Sequence, residues 1–146
     1  MTPRFLLDTN IVSEPLRPAP DPAILAHLRQ HQDEIAIAAV VWHELWFGCL
    51  RLPPSAKREA IERYLRRVVG PAIPILAYDG RAAEWHSAER ARLTGLGRTP
   101  AFADGQIAAI ARTNNLILVT RNGDDFALFE DLQIAPWRDS PTENHP

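Results

Sequence analysis

Several features that define common protein classes are scarce or missing in this 146-residue sequence. It has one cysteine, Cys49, so no disulfide can form within the chain, and a reducing compartment such as the cytoplasm is the expected setting. No apolar run approaches the roughly 18 residues that a membrane-spanning helix needs. The apolar run at 5–7 is too short for a secretory signal. The sequence therefore predicts a cytoplasmic protein that makes no use of a membrane.

An excess of positive charge is also missing, because 16 Lys and Arg residues stand against 18 Asp and Glu, for a formal net charge of -2. This balance argues against a general nucleic-acid coat, which is usually basic. Lys57 is the single lysine, and arginine, which suits bidentate contacts with phosphate, supplies the other basic residues. Any contact with RNA would therefore use a few local arginines, and Arg51, Arg98 and Arg121 are candidates because they lie near the motifs described below.

Short apolar runs alternate with segments of helical periodicity along the chain. The runs predict strands at 5–7, 34–38, 73–76, 116–119 and about 132–135, with Pro74 favouring an edge position for the third. The periodic segments predict helices from about Pro22, at 40–52, at 55–69 before Gly70 and Pro71, at 79–93 and at 104–113. This alternation is typical of a three-layer α/β/α fold with a central, mostly parallel sheet. We expect one domain over 1–138 and a disordered, proline-rich tail over 139–146.

Apolar spacing also predicts which helix faces are buried. Helix 55–69 should bury Ile61, Leu65 and Val68, and helix 79–93 should use Ala83 and Trp85 as its apolar anchors. Glu14 is expected to be a surface acid at the end of a helix.

Four acidic residues lie at or near the ends of the predicted strands. Asp8 directly follows the first strand, and Glu44 lies early in the helix after the second strand. Asp104 opens the helix before the fourth strand, and Asp125 follows that strand after a short loop. Sites in open α/β sheets form outside the carboxyl ends of the strands. The pattern therefore predicts that these four carboxylates converge at one edge of the sheet.

Carboxylates that are buried together need either protonation or a cation. Glu44 lies in the aromatic and apolar run at 40–47, where an unpaired glutamate is unusual. An oxygen-only set of ligands suits Mg²⁺, with Mn²⁺ as a plausible substitute. Such a site supports phosphodiester hydrolysis, because the metal activates water and stabilises charge on phosphate.

Each acid also has an ordinary interpretation when it is taken alone. Asp8 could cap the following helix, Asp104 could interact with a helix dipole, and Asp125 could be a loop acid. Glu44 is the hardest to explain in this way. His43 and Glu44 resemble the start of a His-Glu-x-x-His zinc motif, but Phe47 occupies the position of the second histidine.

Taken together, these motifs resemble those of PIN-domain ribonucleases of the VapC type, the toxins of toxin–antitoxin pairs. The run Leu-Leu-Asp-Thr-Asn at 6–10 resembles the first acidic motif, and Ser-Glu-Pro at 13–15 resembles the FitB-like branch. Glu44, followed by Gly48, is similar to the second motif, and Asp104 in 104–109 is similar to the third. The run at 120–126 resembles Thr-x-Asn-x-x-Asp-Phe, which makes Asp125 rather than Asp124 the fourth acid.

The resemblance implies a function for each motif. Asp8 and Asp104 would be the principal Mg²⁺ ligands, and Glu44 and Asp125 would complete the pocket directly or through water. Thr120 and Asn122 would position the loop and Asp8. The family cleaves RNA and is inhibited by a small antitoxin that inserts a peptide into the acidic groove. Its members commonly form homodimers and toxin–antitoxin hetero-oligomers, which bind promoter DNA through the antitoxin.

Two other functions remain open at the level of the sequence. A flavodoxin-like phosphatase or phosphoacceptor would use Asp8 as a nucleophile, although Asn10 stands where one such class has a second aspartate and Lys57 is poorly placed for another. A partner-binding module without catalysis would have no need of a divalent metal.

Overall fold

Five parallel strands form one sheet in a computed structural model that describes residues 2–138. The strands are β1 (Phe5–Leu7), β2 (Ile35–Ala38), β3 (Ile75–Leu76), β4 (Ile117–Val119) and β5 (Ile134–Ala135). Their spatial order is β3-β2-β1-β4-β5, so the chain runs outward from β1 on one side and then crosses to β4 and β5 on the other. The order reverses between β1 and β4, and the carboxyl ends of such strands frame a binding crevice.

The strand sequences explain why the sheet is parallel and buried. Residues of β1 are buried on both faces, and Phe5 aligns with Ile35 of β2 and with Ile117 of β4. Continuous apolar runs of this kind belong to parallel strands that are covered by helices on both sides. The predicted α/β/α fold is confirmed, and all the pairings in the described chain are parallel. The third strand lies at the edge of the sheet, as Pro74 predicts.

Seven α-helices occur within residues 2–138: α1 (Thr9–Val12), α2 (Pro22–Gln30), α3 (Ala39–Leu50), α4 (Ala56–Tyr64), α5 (Gly70–Ala72), α6 (Gly80–Gly95) and α7 (Phe102–Thr113). Side-chain caps fix the starting points of α2, α4 and α6. Asp21 accepts a hydrogen bond from the Ala23 amide at 2.9 Å, and Ser55 accepts one from the Arg58 amide at 3.1 Å. Asp79 caps α6 in the same way. Such caps satisfy amides that have no partner within the helix. No described helix is long and apolar enough to cross a membrane.

The predicted end of helix 55–69 is wrong. A π-helical turn over Leu65–Val69 leads directly into α5, so the chain stays helical past Gly70 to Ala72. Pro71 is the second residue of α5, so Gly70 and Pro71 do not end the helical segment as the sequence predicts. The wider π turn also shifts the buried face, so Leu65 and Val69 are buried while Val68 is half exposed.

The predicted anchors of α6 are also wrong. Ala83 and Trp85 are only partly buried, and the buried face instead carries Ala82, His86, Glu89 and Leu93. Polar residues can occupy that face because each has a partner. Glu89, for example, accepts two hydrogen bonds of 2.9 Å from the Arg92 guanidinium and one of 2.8 Å from the Glu130 amide. These bonds, those from Arg92 above all, hold the pKa of Glu89 below its ordinary value.

Candidate functional site

Asp8 lies at the point where the strand order reverses, immediately after β1. Its amide donates to the Val119 carbonyl at 2.9 Å, which places it beside the end of β4. The carboxylate caps α1 by accepting from the Thr9 amide at 2.8 Å, and it accepts a second hydrogen bond of 2.8 Å from the Thr120 hydroxyl. The buried side chain of Asp8 therefore caps α1 and also lies at the carboxyl edge of the sheet.

The pKa of Asp8 shows that these two hydrogen bonds do not fully offset the effect of its burial. Burial raises the pKa, the bonds from Thr120 and Thr9 lower it, and the charge of Asp125 raises it further. The net result is a pKa above the ordinary value. A carboxylate that merely capped a helix would have its pKa lowered. Burial of Asp8 is therefore only partly offset by its two hydrogen bonds, and the charge of Asp125 adds a smaller unfavourable effect.

Asp104, in the first turn of α7, also has a raised pKa. Its pKa is raised to about 6, first by burial and then by the charges of Asp8, Asp125 and Glu44. Since charges interact appreciably only over about 10 Å, the carboxylates of Asp8, Asp125 and Glu44 lie within roughly that distance of Asp104. The structure thus brings together residues that are up to 117 positions apart, from Asp8 to Asp125, at the carboxyl edge of the sheet.

Glu44 and Asp125 are held by different local structures. Glu44 is partly exposed in α3, and its Oε2 accepts from the Thr9 hydroxyl at 3.0 Å, next to Asp8. Asp125 ends a 3₁₀ turn over Gly123–Asp125 and is exposed. Its amide donates to the Asn122 carbonyl at 3.0 Å, so a single tight turn fixes its distance from β4.

The donor chemistry of this cluster fits a hard divalent cation. In the described part of the chain, none of the four carboxylates forms an ion pair with a Lys, Arg or His side chain. Within that same part, no three acidic, histidine or cysteine side chains are already grouped closely enough to hold one ion. A bound ion would therefore need these side chains to move closer together. Oxygen-only ligands of this kind are those that Mg²⁺ and Mn²⁺ prefer.

Two residues beside the cluster were misjudged from the sequence. Glu14, expected at the surface, is fully buried, and its Oε1 accepts from the Arg121 guanidinium at 2.9 Å. The guanidinium of Arg121, a candidate for RNA contact, is therefore already paired with Glu14. Within the described chain, Arg51 and Arg98 are exposed and form no ion pair. The signal for Glu14 in the sequence was its place in the Ser-Glu-Pro motif at 13–15.

One of two surface clefts contains a residue of the acidic cluster. One has a volume of about 410 Å³ and is lined by the loop 120–125 together with Ile134, Pro136 and Arg138. The other has a volume of about 630 Å³ and lies between α6 and the start of α7, beside His86, Arg90 and Phe102. The first cleft contains Asp125 itself, and the other three carboxylates do not line either cleft.

A model of the PIN-domain family matches residues 5–132 of this chain. The chain is 31% identical to Toxin FitB of Neisseria gonorrhoeae, over 92% of this chain and 99% of FitB. It is 30% identical to VapC ribonuclease Y4jK of Sinorhizobium fredii, over 91% and 97% of the two chains. It is also 30% identical to the tRNA(fMet)-specific endonuclease VapC of Shigella flexneri, over 92% and 98%.

Solved structures show the same likeness. FitAB bound to an IR36 DNA fragment superposes with a TM-score of 0.83 at 29% identity, over 97% of this chain and 99% of that chain. FitAcB from Neisseria gonorrhoeae superposes with a TM-score of 0.80 at 32% identity, over 91% and 97%. The similarity therefore covers nearly all of the sheet, the helices and the acidic edge.

Proposed function

This chain belongs to the PIN-domain family, among toxins of the VapC and FitB type, and we propose that it is a Mg²⁺-dependent endoribonuclease that uses Asp8, Glu44, Asp104 and Asp125. Relatives at about 30% identity are named as a ribonuclease and as a tRNA(fMet)-specific endonuclease. The resemblance of all four acidic motifs to those of the family supports the same reaction class here, the hydrolysis of RNA phosphodiester bonds.

One observation carries the proposal. Burial and three neighbouring carboxylates raise the pKa of Asp104 to about 6, although the four acids come from four separate parts of the fold. A protein that only needed to be stable would not gather negative charge in this way, because burial of like charges is unfavourable. Clusters of perturbed carboxylates at a sheet edge are typical of functional sites.

The residues divide into ligands and residues that orient them. Asp8 and Asp104 would be the main ligands of Mg²⁺, and Glu44 and Asp125 would complete the pocket directly or through water. When bound, Mg²⁺ supplies Lewis acidity toward a phosphoryl oxygen and lowers the pKa of a coordinated water. Thr9 orients Glu44 through its hydroxyl, and Thr120 orients Asp8. These hydrogen bonds restrict the side chains of Glu44 and Asp8 before the metal binds.

The first test is cleavage of labelled, structured RNA by the purified protein, with Mg²⁺ or with a chelator. We expect metal-dependent cleavage by the wild type and none by Asp8→Asn. Asp124→Asn is the matched control, because Asp124 is an exposed neighbour in the same turn that the motif does not assign to the site. Equal cleavage by the wild type and Asp8→Asn would place the activity elsewhere, and loss of cleavage in Asp124→Asn would undermine the choice of Asp125.

Thr120→Val tests the orientation of Asp8. Valine keeps the shape of the side chain but removes the 2.8 Å hydrogen bond to the Asp8 carboxylate. Because support of a metal ligand by a neighbouring hydrogen bond is typically worth about 10- to 100-fold, we expect cleavage to fall by about that factor. The measurement is the single-turnover rate at saturating Mg²⁺. An unchanged rate in a folded variant would show that Thr120 does not position Asp8.

The likeness to FitAB, which was solved on DNA, supports a small antitoxin as the partner of this chain. We propose that the antitoxin inhibits the toxin by inserting a peptide into the acidic groove. We further propose a homodimer and a toxin–antitoxin hetero-oligomer, in the cytoplasm, that contacts promoter DNA through the antitoxin. The phosphoacceptor alternative is not favoured, because the family match is to the PIN domain.

A further inference from the structure

Two loops meet at the acidic edge, and one arginine joins them. Arg121 follows β4 and precedes the turn that carries Asp125. Its amide donates to the Asn10 side chain at 3.2 Å, and its guanidinium donates to Glu14 at 2.9 Å. Both acceptors belong to the segment that begins with Asp8. The loop of one site acid is therefore tied twice to the segment of another.

Glu14 is a suitable anchor because it has no exposure to solvent at all. One of its oxygens accepts from Arg121, and the other accepts from the Asp21 amide at 2.9 Å. Arg17 is a weaker third partner, at 3.3 Å and with about half of its side chain exposed (52%). A buried charge is tolerated only when it is well paired, so Glu14 strongly favours the conformation that brings Arg121 to it.

The connection from Arg121 to Asp125 is short and internally bonded. The Thr120 hydroxyl accepts from the Asn122 amide at 3.0 Å while it donates to Asp8. The Asp125 amide then donates to the Asn122 carbonyl at 3.0 Å. With both bonds in place the loop has little freedom, so the position of Arg121 determines the position of Asp125.

We propose that Glu14 and Arg121 form a clamp that holds Asp125 close to Asp8 and Asp104. This inference rests on the proposed function. Arg121 is thus a positioning residue and not a contact to RNA. The clamp is needed because Asp125 is exposed at the end of its 3₁₀ turn and carries the same charge as Asp8 and Asp104. Without the clamp, repulsion would move the loop outward and weaken the metal pocket.

The test compares Arg121→Gln with Arg17→Gln, which removes the other arginine of the same glutamate. Mn²⁺ affinity is measured by electron paramagnetic resonance, RNA cleavage is measured in parallel, and hydrogen exchange is followed over 120–126. We expect Arg121→Gln to weaken Mn²⁺ binding by about tenfold, as is typical when support of a metal ligand is lost, and to speed exchange in that segment. Arg17→Gln should stay within about twofold of the wild type.

A third variant separates positioning from folding. Arg121→Gln leaves Glu14 buried with less compensation and can unfold the protein, so Glu14→Gln with Arg121→Gln removes both charges together. We expect this double variant to fold and to show the weakened Mn²⁺ affinity. Wild-type Mn²⁺ affinity in the folded double variant would overturn the clamp. A wild type that neither binds Mn²⁺ nor cleaves RNA would instead overturn the proposed function, and the role of the clamp with it.

Discussion

Asp104→Asn is expected to abolish RNA cleavage and, at the same time, to stabilise the metal-free protein at neutral pH. The pKa of Asp104 is raised from 3.8 to about 6 in the folded protein, so the folded state binds this proton more tightly than the unfolded state does. The resulting stability is fully present below about pH 3.8 and is lost as the pH rises through about 6. Above that pH the ionised carboxylate opposes folding, and asparagine removes it.

The size of this change in stability follows from the pKa shift of Asp104. A change from 3.8 to about 6 corresponds to about 3 kcal/mol for a fully buried group, and solvent screening of this partly exposed side chain reduces it to about 1–2 kcal/mol. We expect the variant to melt a few degrees higher than the wild type at pH 7.5 in a chelator. The difference should narrow as the pH is lowered toward 5. Thermal unfolding at both pH values provides the measurement.

Cleavage by Asp104→Asn should fall by more than the roughly 10- to 100-fold that is typical of residues supporting a ligand, because a ligand itself is lost. Opposite signs for stability and activity are what a functional site predicts, since such sites trade stability for function. Asp124→Asn serves as the control and should leave both quantities nearly unchanged. An Asp104→Asn protein that is less stable than the wild type at pH 7.5, or that cleaves RNA normally, would contradict this interpretation of the acidic cluster.

Gly105→Ala is expected to be the most destabilising small substitution near the site. Gly105 is buried in α7 next to Asp104, and a Cβ there would overlap Nε2 of His86 and come within 2.7 Å of its Cδ2. The His86 ring cannot easily move away, because it is buried and its Nδ1 is hydrogen-bonded to the Tyr78 hydroxyl at 2.8 Å. Overpacking of this kind costs about 2–3 kcal/mol, which is a large share of the stability of a single domain.

Two further variants show whether the His86 contact is the cause. Gly48 lies within α3 and has no atom within 4 Å of an added Cβ, so Gly48→Ala should be neutral or stabilising by up to about 1 kcal/mol. His86→Ala combined with Gly105→Ala should be less destabilised than the sum of the two single variants. Urea unfolding gives all the values. A Gly105→Ala protein as stable as the wild type would mean that α6 and α7 pack less closely than the structure shows.

The parts of the fold that could be predicted from the sequence are those with local signals. Apolar runs at 5–7 and 117–119 predict buried strands because both faces of a central parallel strand are covered. Asp8 and Asp125 could be placed because the carboxyl ends of neighbouring parallel strands share one edge of the sheet. The position of each aspartate directly after, or shortly after, a predicted strand was sufficient for that prediction.

The parts that could not be predicted depend on partners far away in the sequence. Glu14 and Arg121 are separated by 107 positions, and nothing near either residue indicates the other. Glu89 and His86 occupy a buried helix face only because Arg92 and Tyr78 satisfy them, so hydrophobic periodicity could not identify that face. Such buried polar pairs depend on tertiary packing, which local patterns do not contain.

The most direct test of the acidic site is a crystal structure of the wild type with Mn²⁺, with anomalous scattering used to locate the ion. We predict a peak at the carboxyl edge of the sheet, with an oxygen of Asp8 and an oxygen of Asp104 each at about 2.0–2.2 Å from it. Glu44 and Asp125 should approach the same peak directly or through water. Ordered carboxylates with no peak between them at saturating Mn²⁺, or an ion bound elsewhere on the protein, would contradict the proposed metal-dependent site.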